Sequence, residues 1–458
     1  MKRNTRAKVT TPALVVLIVA VAVVAFGAAW YLKPAPAPEK PSEIVLTYLC
    51  EAGPEPEVML KAFDMYSDEH PDVRFDPDVT PRDVARMKLM SEITEQRGTY
   101  DIYFTWLQDT LWMVDAGAIV PLDEYVEDMS SYLEDYPDFL ASSIQRDGNT
   151  YSLPIYWNSL CMFYRTDLFE DSEEQAAFRA EYGYDLRPPE TWQEWIDVAE
   201  FFTRPPDLYG YCVNGKAWAF YWDEYGVSGL QSGGLDPFVD FETNEVYING
   251  TEGVQLLETL AELTKYSPPG WEAGDWFTFG DQLFAQGELA MWHNWYYPWP
   301  MFQDPERSEV AGNVGVSVTP SISEGGPHVG QLSGGGITIS AFSPEWDKEA
   351  AADFIVWLLR PETQKELALT GELFIPAGLS ILEDTEVNAL LKPQPFIDLV
   401  QEKGQTFFRP TVELNEVQNL WVSESAEALM RIVNGEMTAK EAADWLAAHM
   451  QNVLEERE

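Results

Sequence analysis

The sequence contains few of the residues that bind metals or build disulfide frameworks. Its 458 residues include only three cysteines and four histidines. No two cysteines form a CxxC pair, and no cysteine–histidine spacing matches a zinc site. We therefore expect neither a metal nor another cofactor. One disulfide among Cys50, Cys161 and Cys212 remains open, and the sequence does not choose the pair.

Basic residues are also scarce. The chain has 29 lysines and arginines against 76 aspartates and glutamates, which gives a net charge of −47. Such a field repels nucleic acids and anionic lipids, and no basic patch offsets it. We expect no nucleic-acid partner. Most of the acidic residues are best explained as solvated surface positions.

Three kinds of catalytic signature are missing as well. The sequence has no GxSxG segment, no HExxH segment and no phosphate-binding loop of the Walker type. Pairs of carboxylates are uninformative, because with 76 acidic residues any spacing can be found. The sequence therefore gives no positive indication of an enzyme.

Aromatic residues, in contrast, are abundant and locally concentrated. The chain has 17 tryptophans, and six aromatic residues lie within residues 292–302. Pro298 and Pro300 exclude a helix interior and a central strand from the second half of this segment. The cluster is either an irregular packed loop or a surface that contacts a ligand.

The N-terminus has the composition of a membrane segment. Four basic residues precede a charge-free run over residues 10–32, and residues 13–32 are long enough to cross a bilayer as a helix. Positive charge before the run predicts that the rest of the chain lies outside the cell. We predict an uncleaved anchor at residues 1–32, with a cleaved signal peptide as the alternative. Residues 33–42, rich in proline, would form an extended linker.

Strand and helix patterns then alternate. Apolar strands around residues 43–50, 73–79 and 100–106 are separated by amphipathic helices, an order typical of a parallel sheet flanked by helices. Residues 151–169 form one long extended stretch, which is long enough to leave one lobe and enter another. Farther on, Thr191 and Glu194 have the spacing of a capping box that begins a helix. The pattern predicts an α/β fold, and the length favours two lobes.

The order of these segments resembles that of the extracellular solute-binding proteins of ABC importers, in particular the maltose-binding-like sugar binders of family 1. The resemblance covers residues 43–450. The segments that carry it are FDMYSDEHPDV, YDIYFTW, GAIVPLDEYV, DGNTYSLPIYWNSLCMFYRTDLF, PPETWQEWIDVAEFF, FAQGELAMWHNW, NVGVSVTP, GGGITIS and KEAAADFIVWLLRPETQKELA.

This resemblance implies a two-lobed Venus-flytrap fold that closes on a solute. Lobe one would comprise residues 43–155 and 326–376, and lobe two residues 156–325 and 377–458. The implied function is that of an extracellular, non-enzymatic, monomeric binding subunit of an ABC importer. It would deliver a sugar, expected to be an oligosaccharide, to permease and ATPase subunits while tethered to the membrane by its N-terminal helix.

The resemblance, together with the chemistry of sugars, also indicates which residues contact the solute. Sugars bind through flat aromatic rings and through side chains that hydrogen-bond to hydroxyls. Trp106 and Asp109 follow a strand at its carboxyl end, where ligands bind in open α/β sheets. The predicted ligand-binding residues are Glu51, Trp106, Asp109, Tyr156, Trp157, Asn158, Trp222, Trp295, Tyr297 and Trp421.

Several readings of these residues stay open. Asp109 could cap the next helix, Trp421 could be a core residue, and residues Gly334–Gly336 could approach the ligand or form a turn. A cationic solute such as a polyamine would also suit an acidic, aromatic cleft. A glycoside-active enzyme and a membrane-tethered adhesion or sensor protein are the remaining alternatives.

Overall fold

The computed structural model describes residues 41–52, 55–141, 143–234, 239–240, 243–370, 376–391, 393–401, 406–408 and 422–456. Residues Ile44–Glu458 belong to one compact unit. The predicted anchor at residues 1–32 and most of the linker lie outside the described residues. Within the described part of the chain, no helix is both long and apolar enough to span a bilayer.

The described residues form twelve strands. They are β1 (Ile44–Glu51), β2 (Val73–Thr80), β3 (Ile102–Trp106), β4 (Gln145–Arg146), β5 (Asn149–Thr150), β6 (Leu153–Arg165), β7 (Val239–Asp240), β8 (Glu245–Val246), β9 (Met291–Trp295), β10 (Val314–Ser317), β11 (Val329–Ile339) and β12 (Thr406–Phe408).

Helices pack around the strands. The α-helices of eight or more residues are Glu55–Glu69, Arg82–Glu95, Ser172–Tyr182, Trp192–Phe202, Thr251–Leu263, Glu345–Leu358, Pro361–Ala368, Gln394–Gln401, Val422–Val433 and Ala439–Glu456. Shorter α-helices are Thr110–Asp115, Met129–Leu133, Asp138–Ala141, Thr166–Phe169, Ala217–Ala219, Val227–Ser232, Asp281–Ala285, Trp299–Phe302, Leu379–Leu382 and Thr385–Leu391. Single turns of 3₁₀-helix are Leu107–Asp109, Leu122–Glu124, Thr264–Tyr266 and Trp271–Ala273, and π-helical turns are Phe220–Tyr225 and Trp276–Gly280.

The N-terminal strands form a mixed sheet. β1 pairs in parallel with β2 and β3, as the alternating pattern predicts. β11, from much later in the chain, is antiparallel to both β3 and β6. The expectation of a parallel sheet is therefore confirmed for β1 to β3, whereas the complete sheet is mixed. Alternation of strands and helices near the N-terminus does not reveal that a distant strand inserts beside β3.

β6 is shared between two groups of strands. Its first residues pair with β11, whereas Leu160 to Tyr164 pair with β9 on one side and Met162 to Arg165 pair with β10 on the other. Nearly every side chain of β6 is buried, because neighbouring elements cover both of its faces. This is the extended stretch for which the sequence predicts a passage from lobe to lobe. The lobe boundaries themselves stay a prediction.

Local signals for helix ends agree well with the structure. Thr191 accepts a hydrogen bond from the Glu194 amide, and the Glu194 carboxylate accepts one from the Thr191 amide, so the predicted capping box is confirmed. The helix Glu345–Leu358 stops before Pro361, which begins the next helix. The tail is helical on both sides of Gly435, whose φ of 72° allows the reversal.

The aromatic segment 292–302 is more regular than expected. Its first half is strand β9, and its second half is a helical turn that starts directly after Pro298. Pro300 is compatible with that turn because the first residues of a helix need no donor. The three cysteines, all in described parts of the chain, are buried and form no disulfide with one another.

Candidate ligand-binding site

Three of the predicted residues meet at one edge of the mixed sheet. Glu51 ends β1 and Trp106 ends β3, and these parallel neighbours bring their carboxyl ends together. The indole Nε1 of Trp106 donates to Glu51 Oε1 at 2.5 Å. Asp109 follows within the 3₁₀ turn and lines the same cleft. The structure thus places a flat aromatic side chain and two carboxylates in one cleft.

A positively charged side chain also lines this cleft. Arg86, from the helix Arg82–Glu95, lies 3.7 Å from the Asp109 carboxylate and also lines the cleft. Its guanidinium lies 6.0 Å from the ring centre of Trp112. No sequence pattern singled out Arg86, because one arginine on an amphipathic helix has no motif. The Asp109 side chain makes no capping hydrogen bond to the next helix, so the capping alternative is not supported.

Tyr156 extends the aromatic surface from the neighbouring part of the sheet. A Cβ placed on Gly335 would lie 2.5 Å from ring atoms of both Phe104 and Tyr156, so these two rings flank the glycine. Phe104 contacts Trp106 edge to face, with ring centres 5.3 Å apart. Gly335 therefore lies within strand β11 and makes room for aromatic rings, and the alternative of a turn at residues 334–336 is wrong.

The two residues after Tyr156 are held by contacts with other parts of the protein. Trp157 is 3% exposed, and its ring lies 4.7 Å from that of Phe396, which places it in the core. The Asn158 Oδ1 accepts hydrogen bonds from the Ser159 and Tyr296 amides at 3.0 and 2.9 Å. Asn158 thereby fixes the backbone of the aromatic segment to β6. Contact with a ligand remains a prediction for both residues.

The aromatic segment contains four core residues and two residues that are less buried. Its four most buried rings, none above 4% exposure, are Trp292, Tyr296, Trp299 and Phe302. Trp295 is 8% exposed at the end of β9, and Tyr297 is half-buried. Packing therefore explains most of the cluster, while the two residues predicted as ligand contacts are the least buried of the six.

A buried carboxyl group anchors this segment. Asp281 Oδ1 accepts from Trp292 Nε1 at 2.9 Å and from Asn294 Nδ2 at 2.8 Å. The Tyr297 hydroxyl donates to the other carboxylate oxygen. Burial raises the pKa of Asp281 to about 7, although the three hydrogen bonds act in the opposite direction. Asp281 was missed from the sequence, where an aspartate at a helix start resembles an ordinary cap.

A second buried carboxyl lies in the π-helical turn Phe220–Tyr225. Glu224 Oε1 accepts from the Tyr211 hydroxyl at 2.6 Å and from the Asn214 amide at 3.3 Å. Burial raises the pKa of Glu224 to about 7. Trp222 belongs to the same turn, but its side chain is not among those described. Trp421 lies outside the described residues.

The raised pKa of Asp281 predicts a pH-dependent stability. Between its ordinary value of 3.8 and about 7, the folded protein binds more protons at this site than the unfolded chain. The free energy of unfolding should therefore decrease as the pH rises from about 4 to about 7, by up to about 1.4 kcal/mol per pH unit from this group. Urea denaturation across this range should show a shallower decrease for Asp281→Asn than for the wild type.

The difference in this slope between the wild type and Asp281→Asn reports on Asp281 alone, because Glu224 contributes a slope of the same sign to both proteins. Asp76→Asn, a change of an exposed aspartate on β2, is the matched control and should keep the wild-type slope. Equal slopes in the wild type and Asp281→Asn would show that the Asp281 carboxyl titrates alike in the folded and unfolded states.

Known proteins resemble this chain over most of its length. A mannitol-binding protein of Pseudomonas aeruginosa is 25% identical over 368 residues, which cover 73% of this chain and 78% of that protein. The crystal structure of an ABC transporter solute-binding protein from Agrobacterium radiobacter, in complex with ribitol, matches with a TM-score of 0.74 and 24% identity over 90% of this chain and all of that one. A solute-binding protein from Agrobacterium vitis with bound D-mannitol gives 0.73 and 21%, over 90% and 99%.

The structural matches establish the two-lobed α/β fold that the resemblance implies. The predicted family is confirmed as well. Residues 61–392 match the family described as bacterial extracellular solute-binding protein, which is well over half of the sequence. The chain belongs to the bacterial extracellular solute-binding protein family.

Proposed function

We propose that this protein is the extracellular substrate-binding subunit of an ABC importer and that it captures a carbohydrate between its two lobes. The observation that carries the proposal is the meeting of Glu51, Trp106 and Asp109 at the carboxyl ends of β1 and β3. Relatives named for mannitol, and similar structures with ribitol and mannitol, support a polyhydroxylated ligand. The protein would act as a monomer and deliver its ligand to permease and ATPase subunits.

The chemistry of the cleft suits hydroxyl groups. Carboxylates accept hydrogen bonds, and a guanidinium donates several, so both partners that a sugar hydroxyl needs are present in Glu51, Asp109 and Arg86. Trp106 adds an apolar face for sugar C–H groups. Binding of this kind requires no covalent step, and we propose no catalytic role.

The cation alternative is less well supported. Glu51 and Asp109 do converge, as a polyamine site would require. However, Arg86 enters the same cleft and lies 3.7 Å from Asp109. A fixed positive charge there repels a cationic ligand and offsets one of the carboxylates. Arg86 therefore reduces the attraction of the cleft for a cation, and we propose a neutral, polyhydroxylated solute.

Closure of the two lobes would couple binding to transport. A ligand that contacts both lobes binds the closed state more tightly and increases its population, which a permease can then recognise. With lobe one at residues 43–155 and 326–376, the cleft around Trp106 belongs to lobe one. Trp295 and Tyr297 belong to lobe two at residues 156–325 and 377–458. We propose that the sugar bridges these two aromatic groups.

Removal of Trp106 should weaken carbohydrate binding. We expect Trp106→Ala to lower affinity at least about tenfold, because burial of one large apolar side chain contributes on the order of 1.5 to 3 kcal/mol. The measurement is a tryptophan-fluorescence titration of the full chain with D-mannitol, ribitol, maltose, mannotriose and spermidine, confirmed by calorimetry.

Trp445→Ala is the matched control, since Trp445 is a partly buried tryptophan of the last helix that packs beside His449. It should bind as the wild type does. Saturable binding of spermidine alone would contradict the carbohydrate proposal and support the cationic alternative. If no compound in the panel binds, both the carbohydrate proposal and the cationic alternative are contradicted.

We further propose that residues 1–32 anchor the protein at the outer face of the membrane, with residues 33–42 as a spacer. The support is the basic N-terminus followed by an uncharged run over residues 10–32. After expression in a bacterial host, full-length chain should remain in the membrane fraction after carbonate extraction, and its N-terminal peptides should be detectable by mass spectrometry. A mature chain that begins after residue 26 would instead identify a cleaved signal peptide.

A further inference from the structure

Phe277 exposes an aromatic ring beside the proposed ligand-binding surface. It is 39% exposed, which sets it apart from the many buried aromatic residues of the described chain. Its ring centre lies 5.1 Å from that of Tyr297, and the two ring planes are inclined by 42°. No sequence pattern pointed to Phe277, because its position in the chain precedes the aromatic segment by fifteen or more residues.

The backbone around Phe277 is a π-helical turn, Trp276–Gly280. Turns of this kind are rare and occur often at functional sites. Asp275 fixes its start, since its carboxylate accepts from the Thr278 amide and hydroxyl at 2.8 Å each. Lys216 donates to the same carboxylate at 3.0 Å. The exposed ring is therefore presented from a well-bonded turn.

The neighbouring ring is also fixed. The Tyr297 hydroxyl donates to buried Asp281, which holds Trp292 and Asn294 through further hydrogen bonds. A ring tied down at its hydroxyl keeps one orientation, so little rotamer freedom is lost when a ligand covers it. Phe277 contacts this fixed ring, and the two residues form a pair of inclined aromatic planes, which we call the two-ring surface.

An exposed aromatic ring has a free-energy penalty that a ligand can relieve. Covering apolar area on binding is favourable. A cyclic sugar offers a stiff C–H face for this purpose, whereas an open-chain polyol has no ring and must lose internal rotations to lie flat. Successive rings of an oligosaccharide are inclined to one another, so two inclined aromatic planes can each cover one ring.

We propose that the two-ring surface is a subsite for an additional sugar ring and that it makes the protein prefer a cyclic oligosaccharide of at least two units over a single polyol. This inference rests on the proposed carbohydrate-binding function. Such a preference would distinguish the present chain from the relative named mannitol-binding protein and from the similar structure in complex with ribitol. Phe277 would then be a specificity-determining residue.

The test compares Phe277→Ala and Phe277→Leu with the wild type, using calorimetry on the full chain. The probes are maltose, maltotriose and mannotriose as oligosaccharides, and D-mannitol and ribitol as polyols. We expect the wild type to bind at least one oligosaccharide more tightly than either polyol. Both variants should lose about five- to tenfold affinity for that oligosaccharide, which corresponds to about 1.0 to 1.4 kcal/mol and lies within the range of an aromatic contact. In both variants, the affinity for the polyols should change by less than about twofold.

Phe277→Leu keeps an apolar side chain but lacks a flat face, so it separates stacking from general hydrophobic contact. Tyr247→Ala is the matched control, because Tyr247 is 38% exposed and lies outside the two-ring surface. It should leave every affinity unchanged. Thermal unfolding of each variant checks that the fold is intact.

These measurements distinguish a failure of the proposed function from a failure of the proposed subsite. If the wild type binds none of the saccharides or polyols, the proposed function is contradicted and the subsite falls with it. If the wild type binds a polyol more tightly than every oligosaccharide, the proposed function stands and the subsite is overturned. Equal loss of oligosaccharide and polyol affinity in Phe277→Ala would likewise overturn the subsite alone.

Discussion

The pairing of β6 is the constraint on which the rest of the structure depends. One strand of 13 residues hydrogen-bonds first to β11 and then to β9 and β10, so it joins two groups of strands without a break. Its side chains are buried on both faces, so a shift of its register or its unfolding would be strongly destabilising. The position of Tyr156 beside Phe104 and the position of Trp295 opposite Leu160 both follow from its register. The proposed closing motion would take place around this strand.

Buried polar groups then set the orientation of the aromatic side chains. The Asn158 side chain binds the Tyr296 amide, and Asp281 binds Tyr297 and Trp292. Such networks are costly if any one member lacks its partner, so they specify a single arrangement when complete. A rigid aromatic surface loses little entropy on binding and therefore uses more of its contact energy for affinity.

The sequence was sufficient for features that depend on local signals. Strand β3, the Thr191–Glu194 capping box and the helix break before Pro361 follow from periodicity, hydrogen-bonding chemistry and the missing proline donor. The antiparallel insertion of β11, the pairing of Arg86 with Asp109 and the contact of Phe277 with Tyr297 could not be predicted. Each joins residues far apart in the chain, and no local pattern encodes such a contact. For the same reason, the sequence could name ten ligand-binding residues without showing that Trp157 packs in the core.

Small-angle X-ray scattering of the full chain, with and without a saturating oligosaccharide, tests most directly whether the protein captures a sugar between its lobes. A ligand that bridges the aromatic groups of both lobes should reduce the radius of gyration, and Trp106→Ala should require more ligand for the same change. Spermidine should cause no compaction. Saturable sugar binding with an unchanged radius of gyration would contradict capture by closure and would indicate a ligand that contacts one lobe only.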